Sequence, residues 1–185
     1  MKKILVCCFI MLVTFTVSGL YDQKFHFGLQ AGVIKSNIHV TDNSTNFYKG
    51  PLYKPVTFYN INGYLSLRKN SIWGISVEPG FIKKGATRDP INSYDPYVWK
   101  NTYSYIQLPV LFDLYFLKNF CLSIGPEFSY LVKSQEKNSK ITINTYDQRK
   151  KLEMAGILGI SYNLFKVVDI GFRYNHAATS TERFT

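Results

Sequence analysis

Residues 102–132 read TYSYIQLPVLFDLYFLKNFCLSIGPEFSYLV, two alternating runs hinged on Lys118-Asn119. In the first run Ile106, Leu108, Val110, Phe112, Leu114 and Phe116 stand opposite Tyr105, Gln107, Asp113 and Tyr115. In the second, Leu122, Ile124, Phe128 and Tyr130 stand opposite Cys121, Ser123, Gly125, Glu127 and Ser129. A period of two belongs to a β-strand, whose successive side chains point to opposite faces. So short a link makes the pair a hairpin.

The same pattern recurs on both sides. Upstream it predicts strands over 24–34, 56–68 and 72–83; downstream, over 152–164 and 167–175. The connections 35–54, 84–100 and 133–151 are long and polar, the last rich in lysine and arginine and expected to be solvated and mobile. Those at 69–71, 118–119 and 165–166 are tight. Long loops alternating with short turns fit an all-β, antiparallel up-and-down transmembrane β-barrel of the eight-stranded type. Seven strands are present, and the closing strand expected from 177–183 onward is missing, so residues 20–185 read as a C-terminally truncated barrel whose first and seventh strands are open edges.

The amino terminus supplies an address. Lys2 and Lys3 precede an apolar stretch from Ile4 to Val17 and a small-residue site at Val17-Ser18-Gly19, the layout of a signal peptide spanning 1–19. Its removal takes Lys2 and Lys3 from the 22 basic residues and nothing from the 12 acidic ones, lowering the net charge from +10 to 20 − 12 = +8. Cys7 and Cys8 leave with it and Cys121 remains, so an internal disulfide is not available. Beyond the leader no apolar run approaches the roughly 18 residues of a membrane helix, so a crossing must use strands.

Alternation alone does not say which face meets lipid, because a soluble lipocalin-like ligand binder has the same period. The composition of the polar face decides. A watery exterior is dense in Lys and Glu, whereas here that face is mostly Gly, Ser, Asn, Gln and Ala, which fit inside a narrow barrel. Trp73, Ile75, Val77, Leu108, Val110, Ile124, Phe128 and Phe172 are therefore assigned to lipid. Two aromatic girdles are expected, Phe58, Tyr59, Tyr97, Trp99 and Tyr103 near the loops and Tyr115, Phe116, Phe120, Tyr162 and Phe165 near the turns. Pro79, Pro109 and Pro126 interrupt this pattern and are expected to mark bulges or kinks.

Phe27-Gly28-Leu29-Gln30-Ala31-Gly32, Val77-Glu78-Pro79-Gly80-Phe81, Tyr105-Ile106-Gln107-Leu108-Pro109, Gly125-Pro126-Glu127 and Gly171-Phe172-Arg173-Tyr174-Asn175 occur in that order. In this the chain resembles the small outer-membrane barrels of Bacteroidota, the porin family or PorT-like barrels. The resemblance implies an outer-membrane location, insertion by the outer-membrane assembly machinery and no enzymatic activity.

Counting from the tight turns puts Glu78, Glu127, Arg173, Gln30 and Gln107 at one middle depth on the inward face. Arg173 is expected to bridge Glu127 or Glu78 and plug the lumen, with Arg68, Asp113 and Asp169 as a second cluster near the periplasmic end. His26, His39 and His176 sit on separate elements without metal-site spacing, so no metal or cofactor is expected. The loops carry Lys49, Lys54, Lys83, Lys84, Arg88, Lys100, Lys137, Lys140, Arg149, Lys150 and Lys151, suited to lipopolysaccharide phosphates or acidic surface glycans. Charge spread over several loops does not favour nucleic acid. The reading is a monomeric barrel with a structural or binding role; a narrow passive channel and an accessory barrel of a secretion or gliding apparatus are the alternatives.

Overall fold

The structure is a computed structural model that describes residues 3–5, 7–8, 15–18, 25–37, 39–41, 53–68, 72–90, 96–117, 119–164 and 168–179, with side chains from Phe25 onward except 39–41 and 148. Seven long strands follow one another: β1 (Phe25–Ser36), β2 (Tyr53–Arg68), β3 in two segments (Trp73–Val77 and Gly80–Arg88), β4 (Trp99–Tyr115), β5 (Phe120–Lys137), β6 (Leu152–Asn163) and β7 (Val168–Ala177). Each pairs antiparallel with the next. Among the described residues no helix is long and apolar enough to cross a membrane.

The sheet returns on itself. Phe15–Ser18 pairs with β1, Phe15 opposite Ala31 and Ser18 opposite Gly28, and with β7, where Val17 faces Val168 and Thr16 faces Asp169. Cys7 and Cys8 pair with His176 and Asn175. In the uncleaved chain leader residues thus cover part of the edges expected to stand open on the first and seventh strands of residues 20–185: unpaired N–H and C=O groups on an edge take whatever extended segment is at hand. The cleavage site beyond Ser18 lies outside the described residues.

The three prolines do not create bulges. Val77 faces Val110 and Gly80 faces Gln107, so the register runs unchanged past Pro79 and Pro109, and Pro126 faces Gly156 in an unbroken β5–β6 ladder. Proline removes one N–H without inserting a residue, and its carbonyl still accepts, as Pro109 does from Glu78 N–H at 3.0 Å and Pro79 does from Gly63 N–H at 2.8 Å. Pro79 costs only the gap between the two segments of β3. The register shifts lie elsewhere, between Leu131 and Lys133 and between Pro55 and Asn60.

At the loop ends the hairpins continue beyond their expected limits. β4 and β5 stay paired out to Lys100 and Lys137, and β3 and β4 out to Arg88 and Trp99. At 17 and 18 residues, β4 and β5 exceed the roughly 9–11 residues of a tilted membrane strand. The third loop correspondingly carries backbone pairing of its own. Thr142–Asn144 pairs back on Gln135–Lys137, and a turn at Tyr146–Gln148 sets Tyr146 against the interior. That interior end is apolar: Ile34, Ile82, Ala86, Tyr103, Tyr105, Leu131 and Ala177 are buried together. Each fully buried Ile or Leu contributes about 1.5–3 kcal/mol.

Faces sort as alternation demands. Ile75, Leu108, Ile124, Phe128 and Phe172 point outward and exposed, with Trp73, Val77 and Val110 half-buried beside them. The girdles are partly corrected, because Phe58 and Tyr103 turn inward and are buried, and Tyr115 lines the lumen. At the turn end Phe116 stacks on Phe120 at 5.9 Å and Phe120 meets the edge of Tyr162 at 4.8 Å. Phe165 lies outside the described residues.

Candidate functional site

The lumen holds the chemistry. Inward positions on β3, β5 and β6 bring Lys84, Glu127 and Glu153 together, each at most 3% exposed. Lys84 Nζ donates to Glu127 Oε1 at 2.9 Å and to Glu153 Oε1 at 2.8 Å. Glu127 also accepts from Ser129 Oγ at 2.9 Å and Asn175 Nδ2 at 2.6 Å. The assignment of Lys84 to the basic loop surface is thus corrected. Gly85, at φ 157°, lets β3 close on β4, where a Cβ would stand 2.0 Å from the Asn101 carbonyl, and the strand carries Lys84 inward beside it.

A second group forms from β7, β3 and β1. Arg173 grips Glu78 with both guanidinium nitrogens, Nη2 donating to Oε1 at 2.5 Å, and Glu78 is fully buried. Gln30 lies against this pair; reversing its amide lets it donate to Glu78 Oε2 and accept from Arg173 Nη2, both at 3.0 Å. Asn62 and Gln107 extend the amide chain, with contacts of 3.0 Å to Gln30 and 2.9 Å between them. Of the two partners open to Arg173, Glu78 takes it, and Glu127 is held by Lys84. Glu153 escaped the sequence reading; its period-two spacing with Ala155 and Ile157 was the available signal.

Toward the turns the grouping of Arg68 with Asp113 and Asp169 is replaced. Asp113 Oδ1 accepts from Ser123 Oγ at 2.5 Å and Asp169 Oδ1 from Asn163 Nδ2 at 2.6 Å, both neutral donors. The Arg68 guanidinium lies 3.7 Å above the Tyr115 ring. Below Arg173 these residues surround a small polar cavity of about 50 Å³ that reaches Asn119, Asn163 and Asp169 beside the turns. Cys121 is a free thiol on its wall. Among the described residues no three His, Cys, Asp or Glu side chains gather at metal-ligand spacing.

At the other end basic side chains lie over aromatic rings. Lys83 Nζ sits 5.2 Å from the Tyr59 ring and donates to its hydroxyl at 3.3 Å. Arg88 lies over Trp99 at 5.9 Å, Lys100 over Phe58 at 5.4 Å, Lys140 over Tyr97 at 5.1 Å and Lys151 over Tyr146 at 4.7 Å. Arg149 pairs with Glu136 at 2.9 Å, and Lys54 with Asp89 at 2.9 Å. Lys137 and Lys150 are exposed, and Lys49 lies outside the described residues.

An apolar exterior around a polar, ion-paired interior is the inverse of a soluble barrel. The model of the outer membrane protein beta-barrel domain matches residues 20–181. The chain belongs to that family. No curated protein and no solved structure matches it. An outer membrane beta-barrel protein resides in the cell outer membrane, and this corrects the alternative of a soluble lipocalin-like binder. Its exposed Leu29, Ile61 and Ile124 have no place on a water-facing surface, where large contiguous apolar patches are rare.

Proposed function

We propose that this protein is a plugged outer-membrane barrel, a structural and surface-binding module without catalysis or conduction. The observation that carries the reading is the ion-paired interior: Lys84 with Glu127 and Glu153, and Arg173 with Glu78, reach across the lumen between strands remote in sequence. An eight-stranded barrel has room for little beyond its own side chains, so these groups and the apolar cluster above them leave no through-path. The outward apolar residues, among them Ile75, Leu108, Ile124 and Phe172, rest in lipid. Lys83 and the cations over aromatic rings at the loop end form a rim suited to the phosphates of lipopolysaccharide, as point charges held near the interface.

Conductance tests the plug. The protein refolded into planar bilayers is expected to leave the membrane current at baseline; discrete, reproducible current steps would overturn the reading in favour of a narrow channel. The PorT-like motifs Val77-Glu78-Pro79-Gly80-Phe81 and Gly171-Phe172-Arg173-Tyr174-Asn175 support a second reading, an accessory barrel of a Bacteroidota secretion or gliding apparatus. A specific multiprotein complex recovered from detergent-solubilised membranes would favour it.

A further inference from the structure

The outward face of the sheet changes character at one level near the loops. From 25 to 33 on β1 and from 122 to 130 on β5 its positions are apolar, close to the roughly 9–11 residues of a tilted membrane strand. Next on that face come Lys35 on β1, which is exposed, and Lys83 on β3, half-buried after Phe81. Lys83 leans on the rings of Tyr59 and Phe81, at 5.2 and 6.0 Å, and its ammonium donates to the Tyr59 hydroxyl. In this way a lysine keeps its stem on apolar surface and its charge at the interface.

β5 reaches the same level by a defect. Leu131 faces Tyr105 and is fully buried, so an unbroken register would set Val132 against Ser104 and turn Lys133 inward. The register shift between Leu131 and Lys133 passes over Val132 and sets Lys133 against Ser104, exposed on the outer face. Bulges re-aim side chains in just this manner. Ser104 also faces Lys83 across the β3–β4 ladder, so it stands between two lysines, 6% exposed. Neighbouring strands lie about 4.7–4.9 Å apart, which puts the β3 and β5 backbones about 9–10 Å from each other, a gap that two lysine side chains close around one tetrahedral anion. Among the described residues no ion pair joins Lys83 or Lys133 to a carboxylate; Glu136 is held by Arg149 and Asp89 by Lys54, and Asp147 lies in the third-loop turn.

We infer that Lys83 and Lys133, closing over Ser104, form a lipid-facing binding site for the phosphate of an outer-leaflet glycolipid. Its acyl chains lie along Ile106 and Tyr130, which face each other one step nearer the membrane centre and are 57% and 45% exposed. Charge and position select this occupant together: the two ammonium groups call for an anion, and the apolar wall directly below them calls for hydrocarbon joined to it. The inference rests on the reading of the loop end as a rim for lipopolysaccharide, and narrows it from cations spread over the loops to one pair fixed on strands.

The test is native mass spectrometry of the full chain, refolded in a non-ionic detergent, with monophosphorylated lipid A and with the same lipid stripped of its phosphate. Retention of the phosphorylated lipid in preference to the stripped one is expected. Lys83→Gln and Lys133→Gln are each expected to weaken retention about fivefold, and together about 30-fold, the scale of basic side chains at a charged membrane surface. Lys133→Gln, at an exposed position, decides the matter should the Lys83 variant not fold, as judged by gel mobility. Lys140→Gln combined with Lys151→Gln, in the rim above, is expected to cost less than either. Equal retention of the two lipids, or retention unchanged in Lys133→Gln, overturns the site. A loss confined to the rim variant overturns it too, while leaving the broader reading of the loop end intact. Inorganic phosphate competing as tightly as the lipid makes the occupant a free anion and overturns the assignment to lipid.

Discussion

Replacing Lys84 by Met separates a lysine on the loop surface from a lysine that holds the interior together. Lys84 Nζ makes two charge-assisted hydrogen bonds, at 2.9 Å to Glu127 and 2.8 Å to Glu153, with every participating side chain at 2% exposure. Bonds to charged groups contribute about 1.5–3 kcal/mol each, and removing one partner of a buried pair costs about 3–5 kcal/mol because the remaining charge stays desolvated. Glu127 keeps Ser129 and Asn175 as neutral donors, which offsets part of the loss. Lys84→Met is therefore expected to destabilise the barrel by about 3–5 kcal/mol. The assay is urea unfolding of protein refolded into lipid vesicles, followed by tryptophan fluorescence and by the gel mobility of folded and unfolded forms. Combining Lys84→Met with Glu127→Gln and Glu153→Gln should return most of the loss, since replacing a whole buried ion group is often close to neutral. A change below about 1 kcal/mol for the single variant, the scale of an exposed ion pair, would refute the reasoning.

Ile124→Lys probes the outer face: Ile124 is 51% exposed, and a lysine near the bilayer midplane costs about 2–4 kcal/mol in vesicles, against about 0.5 kcal/mol for an ordinary water-facing substitution. A negligible cost there would contradict contact with lipid. Amino-terminal sequencing of membrane-inserted protein is expected to begin near Leu20, as the leader pattern requires. A folded protein that still carries Phe15–Ser18 would refute that cleavage and leave this strand as the resident partner of β1 and β7.

The strands of this barrel were legible because every second residue obeys one rule. Ile106, Leu108 and Phe112 are apolar and Gln107 and Asp113 are not, and the alternation persists through Pro79, Pro109 and Pro126. Bulges at those prolines were the wrong inference, because a lost donor and an inserted residue are different defects. The loop ends were misjudged for a related reason. Polar sequence at Lys100, Lys137 and Arg88 reads as loop, yet backbone pairing is indifferent to side-chain polarity once a hairpin has begun. Lys84 was assigned to the surface by its charge, although its even spacing from Ile82 and Ala86 pointed inward.

Sequence by itself determined the strand period, the sidedness of each strand and the outer-membrane destination, all of which follow from local spacing and composition. Which inward charges meet was decided by the ring. Lys84 finds Glu127 and Glu153 across separations of 43 and 69 residues, and Arg173 finds Glu78 across 95. Strands in a barrel are tilted and staggered, so equal counts from the turns do not give equal depth, and neighbours across the lumen are set by shear.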